Sequence, residues 1–106
     1  MGPLKQSRKK DGFFLSTITE RIHCALTKRQ VRQKGVYPEL ISLMKTERNL
    51  HMFINCNLSY PSYSNYIQEA SKHGIRFTIV KPPRPTPIGL VLANETKAID
   101  QTNFFY

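Results

Sequence analysis

Ile88-Gly89-Leu90-Val91-Leu92-Ala93 is the longest nearly continuous apolar run in this 106-residue chain, and its reading decides the fold. At six residues it falls far short of the roughly 20 that a membrane helix needs. It is the right length for a strand, and a strand that is apolar on both faces belongs inside a sheet, covered from both sides. Residues 82–87 (PPRPTP) precede it and can be neither helix nor interior strand, because prolines lack the amide donor. They read as a stiff link between two strands. Pro82-Pro83-Arg84-Pro85 also has the form of a polyproline-type ligand, but a link accounts for it without a partner.

Working outward, Arg76 to Lys81 reads as a strand with Phe77 and Ile79 on one face. Before it, Tyr63, Tyr66, Ile67 and Ala70 stand at helical spacing. Asn57 or Ser59 can cap that helix, Pro61 fits its first turn, and His73-Gly74 ends it with a left-handed stop. Met52, Ile54 and Cys56 interleave with Phe53 and Asn55 as a further strand, so Met52 to Val80 should be a strand–helix–strand crossover with parallel strands. Tyr37-Pro38-Glu39 opens an earlier helix whose apolar face is Leu40, Ile41, Leu43 and Met44, running to about Thr46. Ile22, Cys24 and Leu26 alternate with His23 and Ala25 as the first strand. Thr27 to Gly35 reads as an exposed connection with one helical turn. Residues 1–12 read as a flexible basic tail and 13–106 as one domain. The resulting order is β-α-β-α-β-β, an α+β fold with the last strand inside the sheet.

Several stretches also resemble a known family. They are Glu20-Arg21-Ile22, Ala25-Leu26-Thr27-Lys28, Gln30-Val31, Ile54-Asn55, Leu58-Ser59-Tyr60, Tyr63-Ser64-Asn65-Tyr66-Ile67 and Thr86-Pro87-Ile88-Gly89-Leu90-Val91-Leu92-Ala93. As a set, from about Phe13 to Asp100, they resemble the YueI-like family, small uncharacterised proteins of Gram-positive bacteria. The resemblance implies a four-stranded mixed sheet in the order 1-4-2-3, antiparallel around strand 4, with the helices packed on one face. That architecture is similar to kink-turn-binding ribosomal proteins and to one class of bacterial chorismate mutase. Arg29 and Cys56 stand where the family often has glycine, which makes the loop at Arg29 more basic. The Gly-rich loop by which kink-turn binders hold RNA is not present here, so that activity is not carried over, and a shared fold alone assigns no function.

Charge is the sharpest functional signal. Sixteen Lys and Arg face seven Asp and Glu, a formal charge of +9. Residues 1–35 hold nine of those bases against Asp11 and Glu20, while the rest of the chain is nearly balanced. Lys28, Arg29, Arg32 and Lys34 cluster without an acid and can neutralise phosphates, with Lys9 and Lys10 in the tail adding to them. The competing reading is a solvated face that keeps the protein soluble. Tyr63 and Tyr66 are candidates for stacking on bases, against a structural role with the rings packed on the core.

Enzyme signatures are few. His23, His51 and His73 are scattered, and no Ser, Cys or carboxylate beside them suggests a triad. There is no Walker loop, nucleophile elbow or metal-binding histidine pair, so no cofactor is expected. Cys24 and Cys56 alternate with apolar neighbours and read as small buried hydrophobes. With neither a membrane-length segment nor a signal-peptide pattern, a cytoplasmic protein is expected. Three functions compete: a non-enzymatic module that binds RNA or other nucleic acid, an oligomeric interaction scaffold, and a small-molecule enzyme or binder at a subunit cleft. The second arises because Val91, Ala93 and Phe53 make the helix-free sheet face apolar. Either the chain's own aromatic ends (Phe13, Phe14, Phe104, Phe105, Tyr106) or another subunit must cover it, and self-association through that face is the expectation.

Overall fold

In the computed structural model, which describes residues 14, 15, 17 and 19–96, a short 3-10 turn (Thr19–Arg21) leads into β1 (Ile22–Thr27). The helical turn α1 (Lys28–Arg32) follows directly, then α2 (Pro38–Thr46), β2 (Leu50–Asn55), α3 (Tyr60–Lys72), β3 (Arg76–Val80) and β4 (Ile88–Asn94). The tail with Lys9 and Lys10, and also Phe13, Phe104, Phe105 and Tyr106, lie outside the described residues.

The strand order is β1-β4-β2-β3, as expected. β4 runs antiparallel to β1 and β2, and β2 runs parallel to β3. Every residue of β4 is buried, which is what its unbroken apolar sequence requires. Pro38 and Pro61 occupy the first turns of their helices, and Gly74 takes φ +68° after α3, as read. Ser59 stands at the N-cap of α3, but its hydroxyl lies 3.0 Å from that of Ser62 and caps no backbone N–H.

Leu26, Leu40, Met52, Tyr66, Leu90 and Leu92 belong to the buried cluster beneath the helices. A second buried cluster lies on the other face, where Leu15 joins Ile22, Ala25, Ile88, Val91 and Ala93, with Phe14, Phe53 and Val80 at its margin. The chain's own residues 14 and 15 therefore contribute to covering the helix-free face.

Two bulges correct the expected faces. Ile22 pairs with Ala93 but Cys24 with Leu92, so His23 is an extra residue on β1. Leu26 pairs with Leu90 but Thr27 with Ile88, so Gly89 is an extra residue on β4. Side chains on a strand alternate with period two, so one added residue sends everything beyond it to the opposite face. Strict alternation would set Ile22 beside Cys24 and Ile88 beside Leu90, and both lie in the second cluster instead.

Cys24 is buried as expected, and burial, with Glu39 adding to it, pushes its thiol up to about 12. Cys56 is exposed, contrary to expectation, because β2 ends at Asn55 and the chain turns outward there.

Candidate functional site

The basic stretch is built around α1. The Thr27 hydroxyl accepts from the Gln30 N–H at 3.2 Å, and the Gln30 side chain accepts from the Thr27 N–H at 2.8 Å. This reciprocal capping box satisfies two amides that a five-residue helix would otherwise leave open. The Lys28 N–H donates to the Pro87 carbonyl at 2.8 Å, tying the turn to the segment just before β4. Val31 is buried beneath it. A Cβ on Gly89 would sit 2.9 Å from Lys28 Cα, so the extra residue of β4 is a glycine because the backbone of α1 lies against it.

Fixed in this way, α1 leaves Arg29 and Arg32 exposed, with Lys34 exposed just beyond and Lys28 half-buried. Gly35, at φ +80°, turns the chain back toward α2. Arg29 and Arg32 stand in the last turn, where the dipole favours cations, but other features of the charge pattern oppose the helix. No acid stands in its first turn, where the dipole favours one. Lys28 and Arg32, and Arg29 and Arg32, are like charges at helical-neighbour spacing, each pair costing about 0.2–0.5 kcal/mol.

Topology adds to this patch. The end of the sheet that holds α1 is also where β2 and β3 finish and β4 begins, so the 81–87 link crosses it and carries Lys81 and Arg84, both exposed. Two buried polar residues pin that link and the neighbouring turn. Asn55 donates to the Ile88 carbonyl at 3.0 Å and accepts from the Asn57 N–H at 2.9 Å, and Thr86 accepts from the Ile88 N–H at 3.2 Å. Among the described residues, six bases (Lys28, Arg29, Arg32, Lys34, Lys81, Arg84) thus share one end of the sheet with a single acid, Glu39. The opposite end has five bases and four acids among the described residues, and there carboxylates are engaged, Glu69 with Lys72 at 3.2 Å and Glu95 with Arg76 at 2.7 Å.

The tyrosines divide. Tyr66 is 1% exposed, and its hydroxyl accepts from the Tyr37 N–H at 3.2 Å. Its ring is core, which corrects its candidacy for stacking. Tyr63 is half-buried and packs against the main core. The exposed ring is Tyr60, at 60%. Its register on α3 was legible, but its exposure depended on how α3 lies on the sheet.

Sequence reading also missed a polar array at the far end of the sheet. His51 Nε2 lies 2.7 Å from Thr78 Oγ1, and His51 Nδ1 lies 2.9 Å from Glu95 Oε2, which also accepts from Arg76. The His51 hydrogen bond, with Arg76 beside it, holds the Glu95 carboxyl below its usual range. The order hydroxyl–imidazole–carboxylate is that of a nucleophile with its base and orienting group. Its partners come from 27 and 44 residues away, so no local signal could reveal them. The array ties β2, β3 and the end of β4 together, and His51 is stacked on Phe53 with ring centroids 4.6 Å apart. The cavity nearby, of about 480 Å³, is lined by Arg48, His73, Arg76 and Glu95 among others, but by neither His51 nor Thr78. His73 Nδ1 lies 2.8 Å from the Glu69 carbonyl oxygen, at the end of α3.

Among the described residues, no three His, Cys, Asp or Glu side chains gather so as to hold a metal ion, and no helix is long and apolar enough to cross a membrane.

Residues 2–105 match a family described as protein of unknown function (DUF1694). The chain is similar to the uncharacterized protein YueI of Bacillus subtilis (strain 168), with 41% identity over 93 residues, covering 87% of this chain and 70% of that protein. It is also similar to the crystal structure of the YueI protein from Bacillus subtilis, with a TM-score of 0.86 and 34% identity, covering 100% of this chain and 79% of that one.

Proposed function

The chain belongs to the DUF1694 family, whose members are described as proteins of unknown function, and from that premise we propose a cytoplasmic, non-enzymatic module that binds nucleic acid through the basic end of its sheet. The observation that supports this reading is the separation of charge, six bases against one acid at that end among the described residues. Lys28, Arg29, Arg32 and Lys34 are the core of the patch, and Lys81 and Arg84 extend it. Lys28 stands at the N-terminus of α1, where the dipole disfavours a cation, and the like-charge pairs repel, so the stability of the turn does not explain the whole cluster. A phosphate backbone does, since each contact releases condensed counterions. Lys9 and Lys10 are proposed as additional contacts from the tail.

Changing Lys28, Arg29, Arg32 and Lys34 together to Ser should weaken binding across sequences and flatten its salt dependence. The slope of log affinity against log salt should fall by roughly 0.7 per lost contact on a single strand and 0.9 on a duplex. Fluorescence anisotropy titrations with labelled RNA, repeated at several salt concentrations, measure both quantities. Unchanged affinity and slope in the variant would overturn the assignment.

Self-association is the second reading, favoured by Phe77 and Ile79 on β3, 40% and 42% exposed on the last strand of the sheet order. Exposed apolar groups on a terminal strand invite pairing with another copy. This relocates the expected contact from the helix-free face, where Leu15 is buried, to the β3 edge. Light scattering over a concentration series should show a dimer that Phe77→Ser with Ile79→Ser dissociates, and a wild-type monomer throughout would exclude it.

A further inference from the structure

We infer that the nucleic acid is a single strand and that one of its bases stacks on Tyr60, an inference that rests on the nucleic-acid-binding reading above and names its ligand more narrowly. Tyr60 opens α3 and is the most exposed large apolar side chain among the described residues, at 60%. It is not a loose ring. Tyr63, three residues on, meets it edge to face with centroids 5.5 Å apart and an interplanar angle of 74°, and Tyr63 is itself packed against the main core. A braced ring has less side-chain freedom to lose when a ligand covers it.

The position of the ring ties it to the bases. α3 starts at the end of the sheet where β2 finishes, and α1 touches α3 as well as β1 and β4. The strands are about 4.8 Å apart, so the four of them make this end roughly 14 Å wide, enough for a few phosphates of one chain. Bases for phosphates beside an open aromatic face are the two parts of a single-strand site. A duplex would use the bases but not the ring, because its own bases are already stacked on one another. The exposed phenol, which neither the core nor helix capping requires, therefore favours the single strand.

Anisotropy titrations with a labelled mixed-sequence RNA of about 12 nucleotides, within the range of known single-strand sites, and with the same RNA annealed to its complement, test this on the full chain. The single strand should bind more tightly than the duplex. Tyr60→Ala should weaken single-strand binding by about 5- to 150-fold, as the loss of one stacked base implies, without altering its salt slope or the duplex affinity. Tyr60→Phe keeps the aromatic face and should bind like wild type. Thermal melts establish that both variants fold, as an exposed side chain predicts. Equal affinity for the two RNAs with no effect of Tyr60→Ala would overturn this inference while leaving the basic end as a phosphate site. If the wild type binds neither RNA, the nucleic-acid reading fails, and this inference with it.

Discussion

Leu90→Ala should destabilise the protein by about 2–5 kcal/mol, the range for a leucine removed from a core that cannot collapse around the loss. Leu90 is fully buried and lies in the middle of the central strand, paired with Leu26 on one side and Ile54 on the other. Two hydrogen-bonded neighbours hold the backbone in place, so the cavity cannot close by a strand shifting. For a domain of this size that is a drop in thermal midpoint of at least about 8 °C. Chemical denaturation should show the midpoint lowered with an unchanged slope. A melt within a degree or two of wild type would mean that β4 is not the structural centre of the sheet.

Gly89→Val should cost about 3 kcal/mol, at the upper end for overpacking. Its Cβ would stand 2.9 Å from Lys28 Cα, 3.0 Å from Lys28 N and 3.1 Å from Val31 Cγ2. The first two are backbone atoms of α1 and cannot swing aside, so the turn must lift. Lifting α1 strains the Lys28–Pro87 hydrogen bond and withdraws Val31 from its buried site. The same substitution should weaken nucleic-acid binding although every base is still present, because the bases would lose their fixed platform. Denaturation and binding measured on one preparation check both effects. Wild-type stability would show that α1 does not rest on β4.

Much of this protein was legible in its residues because the relevant physics is local. The unbroken apolar run from Ile88 to Ala93 required an inner strand, the prolines of 82–87 required a link, Gly74 supplied a left-handed stop, and Lys28 to Lys34 announced a basic turn. Each depends on a few consecutive residues and their backbone preferences. The faces of Ile22 and Ile88 were not legible. A strand's period-two pattern holds only while its register does, and the bulges at His23 and Gly89 arise from fitting β1 and β4 to each other. The same holds for the site. The sequence by itself determined that a basic turn follows the first strand. Only the tertiary structure decided that Lys81 and Arg84 lie at the same end of the sheet as that turn, that Tyr60 is exposed, that Tyr66 is core, and that His51 meets Thr78 and Glu95. Those neighbours are dozens of residues apart in the chain, and what brings them together is the strand order β1-β4-β2-β3, which is selected by the burial of the whole sheet rather than by any local signal.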